Sequence, residues 1–178
     1  MTPKISQLFV YPIKSCAGIS VSSFQFDSRG PVLDRYWMLV DAKSGVFLSQ
    51  RTVPEMALIS TSIENGAVWA SVQENGQSKA FLLPKEGRII DVTVWDDEVQ
   101  GYDCGDEAAS WFGRYLNRDC RLVYQGDCPR NVDAEFADEG TQVSYADGFP
   151  LLAVAQSSID FLNSACEARI GSENFRPN

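Results

Sequence analysis

Ile5-Ser6-Gln7-Leu8-Phe9-Val10-Tyr11-Pro12-Ile13-Lys14-Ser15-Cys16-Ala17-Gly18 holds a short β-type run that ends at a proline. Pro12 has no N–H and a fixed φ, which suits the end of a strand rather than its middle. A cation, a hydroxyl, a thiol and a glycine follow at once. Gly18 can take positive φ, so the backbone can turn sharply there. Such a turn can hold an anion, with Lys14 supplying charge and Ser15 plus free amides supplying hydrogen bonds. A solvated lysine in an ordinary hairpin fits the same spacing, so the rest of the chain has to decide.

Outward from this stretch the chain reads as β. Ser20–Phe26 alternates, and Tyr36–Val40 is a continuous apolar run suited to a strand buried on both faces. Asp41–Gly45 breaks that run before Val46-Phe47-Leu48. Ala57–Ile63 and Ala67–Val72 flank Asn65-Gly66, a strong hairpin signal. Ala80–Leu83 and Ile89–Trp95 continue the pattern. Many short strands with regular turns predict a barrel or sandwich. The period changes after Cys104-Gly105. Ala108, Trp111, Phe112, Tyr115 and Leu116 share one face of a helix predicted over 106–116, with Asp106 as N-cap. Arg121–Tyr124 reads as a further strand. Residues 126–144 are acidic and aperiodic, hence a long loop. A last helix is predicted near 158–170, with Ser157 and Asp160 as a capping pair and Ile159, Leu162, Cys166 and Ile170 on one face. The fold class is therefore mainly β with some α (α+β).

Composition narrows the chemistry. Histidine is absent, which removes Ser-His-Asp and Cys-His catalysis and the commonest zinc ligand. The five cysteines form no C-x-x-C pair, which argues against a zinc ribbon, a redox dithiol or an iron–sulfur cluster in this chain. No apolar run approaches the ~20 residues of a membrane-spanning helix, and Met1-Thr2-Pro3-Lys4 leads into a strand-like pattern rather than an apolar signal core, so a cytoplasmic protein is expected. The net charge of −9 disfavours a grip on a nucleic-acid backbone. Residues 1–51 nevertheless carry six Lys/Arg against three Asp, which leaves −12 on the remainder. A locally cationic surface on an acidic body would concentrate a small anion; scattered solvent-facing charges give the same count.

Tyr11-Pro12-Ile13-Lys14-Ser15-Cys16, Asp34-Arg35-Tyr36-Trp37 and Asn174-Phe175-Arg176-Pro177-Asn178, in this order, resemble the MOSC-domain proteins. The likeness is to the branch that includes the mitochondrial amidoxime-reducing component and its bacterial relatives. Gly101–Asp106 and Tyr145–Leu152 also look like family segments, so the resemblance runs along essentially the whole chain. It implies an N-terminal β-barrel domain over 1–125, an acidic linker over 126–142 and the start of a MOSC domain over 143–178, which is expected to be truncated here. It implies a parent oxidoreductase that holds a molybdenum cofactor (molybdopterin) and reduces N-hydroxylated small molecules such as base analogues or amidoximes.

By motif, Lys14, Ser15 and Arg35 would contact that cofactor from the barrel, and Arg176 and Asn178 from the MOSC side, with Gly148-Phe149 nearby. No residue of this chain is assigned a catalytic role or a metal. The family's metal-binding cysteine is expected downstream of Asn178, and Cys166 does not match it. The fragment alone is expected to carry no cofactor and no activity. A ferredoxin-like domain or another electron-transfer partner would supply electrons; no membrane partner is expected. Arg35 beside Asp34 also fits a local ion pair, Lys14 a surface lysine, Arg51 a structural cation, and Arg176 and Asn178 a frayed end. Cys16 beside Lys14 reads as packing before reactivity. Two other readings stay open: a sulfur-carrier or sulfurase-like module linked to pyridoxal phosphate, and a non-catalytic interaction domain using the acidic loop.

Overall fold

The computed structural model describes Thr2 and residues 4–178; Met1 and Pro3, part of the start read as lacking a signal core, lie outside the described residues. β1 (Leu8–Val10) stops before Tyr11-Pro12 and pairs antiparallel with β2 (Ile19–Val21). The alternation over 20–26 does not continue as one strand. It breaks after Val21, and β3 (Phe26–Asp27) turns back onto β4 (Gly30–Pro31). β5 (Trp37–Asp41) follows directly. β6 (Ser60–Glu64), β7 (Ala67–Glu74) and β8 (Gln77–Leu82) form an antiparallel meander. Its turns are Asn65-Gly66 (φ 50 and 79) and Asn75-Gly76 (φ 52 and 74), the left-handed pairs that match the twist of the flanking strands.

β9 (Arg88–Val94), β10 (Asp97–Asp103), α1 (Gly105–Leu116) and β11 (Cys120–Tyr124) complete the barrel part. The sheet order is β5-β11-β10-β9, all antiparallel. Val46 and Phe47 close it. Phe47 bridges Val40 and Val46 bridges Thr93, with Phe47 N–H donating to Thr93 O at 2.9 Å and Asp41 N–H to Val46 O at 2.9 Å. The outer strands therefore share one short connecting segment, and the sheet becomes a ring.

Met38, Val40, Val92, Val94, Val123 and Tyr145 fill the ring. Trp37, Leu39 and Leu122 point the other way, against Phe112 of α1, Met56, Ile59 and Val68. That two-sided burial explains why β5 reads as a continuous apolar run. Gly101 has no side chain because a Cβ there would strike the Tyr145 hydroxyl and come within 2.5 Å of Val123 Cγ1.

Two helix ends differ from expectation. Asp106 does not cap α1; the helix starts one residue earlier, and the Asp103 carboxylate takes the Gly105 N–H at 3.1 Å. Asp106 instead meets Arg121 at 2.7 Å. α2 spans Gln156–Ala165 rather than 158–170. Cys166 is extended, and the Asn163 side chain clasps Ile170 through both its groups (2.7 and 2.9 Å), which folds the chain back. The Ser157–Asp160 cap gives way to Gln156 donating to Asp160 at 2.9 Å. Of the proposed helix face, Ile159 alone is buried. Residues 126–144 form no strand or helix, but they pack: Val132, Val143 and Ala146 make a small core. The buried Arg130 donates to the carbonyls of Ser144 (2.9 Å), Ala146 (2.6 Å) and Asp147 (2.8 Å). Among the described residues no helix is long and apolar enough to cross a membrane.

Candidate functional site

The turn after β1 is tied to β5. Lys14 N–H donates to Trp37 O at 2.8 Å, Cys16 N–H to Ile13 O at 3.1 Å and Ala17 N–H to Ile59 O at 2.9 Å. These amides are engaged by carbonyls, so the turn is not the nest of free amides that the sequence suggests. Nor does Gly18 take positive φ; the left-handed residue is Ser15, at φ 66. Gly18 is required for a different reason. The Tyr11 ring lies against it, and a Cβ would sit 2.8 Å from that ring's Cζ.

Lys14 is buried. Its Nζ donates to Asp147 Oδ1 at 2.7 Å and to the Tyr145 carbonyl at 2.8 Å. The Phe47 and Trp95 rings stand 5.2 and 5.5 Å from it, within cation–π range. Burial pushes the ammonium's pKa down; Asp147 pushes it up, Arg130 and Arg35 push it down again, and it settles at about 8. Asp147 shows the complement. Burial raises its carboxyl, but Lys14 and the Trp95 indole hold it below the ordinary value.

Arg35 does form the local ion pair, with Nη1 2.5 Å from Asp34 Oδ2. It also faces the cavity. Its Nη2 donates to the Arg176 carbonyl at 2.9 Å, which joins the two arginine segments. Both guanidinium groups lie over Tyr11, at 4.4 and 4.5 Å. Arg176 Nη1 donates to Cys16 O at 2.6 Å, while its Nη2 is buried and finds no partner among the described residues. Asn178 is not frayed: its N–H donates to Leu152 O at 3.0 Å, and Leu152 N–H returns to Asn178 Oδ1 at 3.3 Å. Cys16 is fully buried and its thiol is pushed up to about 12, burial outweighing nearby Arg176, so it packs rather than reacts.

Lys14, Ser15, Arg35, Arg176 and Asn178 all line one cavity of about 520 Å³. Arg51 lines it too. The sequence reading favoured a structural cation there; the residue is exposed, with its guanidinium 5.3 Å over Trp95. The wall thus carries four cations against the single carboxylate of Asp147, in a chain whose net charge is −9. Backbone conformation marks the same place. Besides the turn residues Asn65 and Asn75 and the helix C-cap Asn117, the described non-glycine residues with positive φ are Ser15, Leu33, Arg35, Trp95 and Arg176, and all but Leu33 line the cavity. Each such residue costs on the order of 1 kcal/mol or more. Strain gathered around one opening indicates a site rather than an accident of packing. With aromatic faces, cations and an unpaired buried N–H, it can hold a flat ligand carrying an oxyanion.

The family model of the MOSC N-terminal beta barrel domain matches residues 2–119. The chain belongs to this family. It is 34% identical to the mouse mitochondrial amidoxime-reducing component 1, over 98% of this chain and 54% of that protein. It is 30% identical to the mitochondrial amidoxime reducing component 2 of Bos taurus, over the same shares. The molybdenum cofactor sulfurase of Danio rerio is 31% identical over 96% of this chain and 21% of its own length. The chain spans about half the length of the amidoxime-reducing relatives it matches.

Sequence reasoning about this MOSC barrel missed four contributors. Asp147 sits inside a family-like segment, but no local pattern says that it meets Lys14. Trp95 and Phe47 read as strand residues; they become cavity wall because Trp95 takes φ 55 after β9 and Phe47 closes the ring. Arg130 lies in an aperiodic loop, and only the fold shows that it binds three carbonyls beside the site.

Proposed function

We propose that this chain is the N-terminal barrel and the start of the MOSC domain of a molybdenum-cofactor oxidoreductase, and that the cavity holds the cofactor's anionic pterin. The observation that carries this reading is the convergence of Lys14, Arg35, Arg51 and Arg176 on one cavity. The residues present fit such a group. Arg176 Nη2 offers a buried donor left unpaired among the described residues, and Trp95 and Phe47 offer faces for a flat ring. When bound, the cofactor supplies two-electron redox chemistry at its metal. The chain's own part is to bind and orient. Lys14, Arg35 and Arg176 would face the cofactor's anionic oxygens, Lys14 from the aromatic wall, and Ser15 and Asn178 would add hydrogen bonds. The parent would reduce N-hydroxylated small molecules, with electrons from a ferredoxin-like domain or partner, and its metal ligand would lie outside this chain. Residues 143–178 would open the MOSC domain. The test is cofactor content of the full-length protein: Lys14→Ala with Arg35→Ala should lose most bound molybdopterin while remaining folded. Unchanged content would refute the assignment.

Similarity to a molybdenum cofactor sulfurase favours a second reading, a module that handles sulfur or cofactor without reductase activity. A persulfide-bearing cysteine and a pyridoxal-phosphate partner in the parent would select it. Reduction of an amidoxime by the loaded parent would exclude it.

A further inference from the structure

Two carboxylates neutralise cations in the cavity, and they differ in their freedom to leave. Asp34 holds Arg35 with a side chain 1% exposed, and its second oxygen accepts the Tyr11 N–H at 2.9 Å. Pulling it away would strand a buried carboxylate, a guanidinium and an amide together. Asp147 holds Lys14 at 2.7 Å, but its own side chain is 77% exposed while that of Lys14 is 6% exposed. A rotation about its side-chain bonds returns the carboxylate to water, where it loses little. Lys14 has no such exit. A buried ammonium stripped of its anion is costly, so Asp147 leaves only as another anion arrives. The same Asp147 oxygen also accepts the Trp95 indole N–H at 3.1 Å, so its departure would free both donors at once.

We propose that Asp147 is a tethered counter-anion, which occupies Lys14 and Trp95 until an oxyanion of the phosphate class enters the cavity and takes its place. Arg35 keeps Asp34 throughout. The inference rests on reading the cavity as an anion site and adds how that site is kept closed. It also makes Asp147 a selectivity element: a neutral aromatic molecule offers nothing to replace the carboxylate, so Lys14 stays capped.

The test is titration of inorganic phosphate into the protein, its Lys14→Met and Asp147→Asn variants and the double variant, followed by the indole N–H resonance of Trp95. Exchange predicts that Lys14→Met alone weakens phosphate binding less than about threefold, because the loss of the contact is offset by the loss of the competitor. In the Asp147→Asn background the same change should weaken it roughly tenfold or more, a non-additivity that long-range charge does not produce. In the unaltered protein the Trp95 indole resonance should move with phosphate at the same Kd, and it reports without any variant having to fold. Equal effects of Lys14→Met in both backgrounds, or saturation with the indole unmoved, would overturn the exchange while leaving the anion site standing. No phosphate binding by any of the four proteins would overturn both.

Discussion

Replacing Lys14 by methionine is expected to stabilise the fold at neutral pH although it removes an ion pair. Burial, the largest influence, carries the ammonium's pKa from 10.5 to about 8 despite the help of Asp147. At ~1.4 kcal/mol per pH unit, the charged form then costs the folded protein about 3 kcal/mol at pH 7 relative to the unfolded chain. Methionine fills similar space beside Phe47 and Trp95 without that penalty. Asp147, mostly exposed, loses little, while the Tyr145 carbonyl loses a donor worth about 1 kcal/mol. The net gain is about 2 kcal/mol at pH 7. The sign with pH follows from proton counting. Between pH 8 and 10.5 the unfolded chain retains a proton on Lys14 that the folded protein has released, so the wild-type protein gains stability through this window. The advantage of Lys14→Met should therefore shrink and vanish by about pH 10.5. Urea unfolding of both proteins at pH 7 and pH 10, followed by tryptophan fluorescence, measures it. The difference between the two curves isolates Lys14, because raised groups such as Tyr36 titrate in both. A destabilised variant at pH 7, or a difference independent of pH, would refute the reasoning.

Three other outcomes follow from the packing. Gly101→Ala should lose roughly 1–3 kcal/mol in urea melts, since its Cβ meets Val123 and the Tyr145 hydroxyl inside the barrel. Arg130→Met should lose roughly 3 kcal/mol or more by leaving three carbonyls without their donor, whereas Asp97→Asn, at the exposed end of the same arginine, should lose under ~1 kcal/mol. In thiol titration at pH 8 the native protein should show one fast-reacting cysteine, the exposed Cys166, and all five only after denaturation. Cys16 and Cys104 are buried and pushed up to about 12, and a second fast thiol would contradict their placement.

The strands with local signatures were legible. Asn65-Gly66 specifies its hairpin because both residues tolerate positive φ, and β5 announces two-sided burial by its unbroken apolar run. β10 was not legible. Glu98 and Gln100 are exposed, the inward face carries a half-buried aspartate, Asp97, held by Arg130, and Gly101 replaces a core side chain, so the strand carries almost no apolar period. The end of α2 was misread because the Asn163 clasp on Ile170 competes with helix continuation, and periodicity is blind to it. At the site, Lys14, Ser15, Arg35, Arg176 and Asn178 could be named because they stand in short motifs that resemble those of the MOSC-domain proteins. Asp147 and Arg130 could not, because they act across a sequence distance of 133 residues in one case and through backbone carbonyls in the other. The strain at Ser15, Arg35 and Arg176 is likewise invisible in residue types that rarely adopt left-handed backbone.

The measurement closest to the central claim is backbone amide shift mapping of the isotopically labelled protein during titration with inorganic pyrophosphate. One saturable event should move Ser15, Arg35, Gly148 and Arg176 together with a common Kd. Shifts confined to the β6–β8 meander, or four residues that respond with unrelated affinities, would show that these cations do not serve a single anion site.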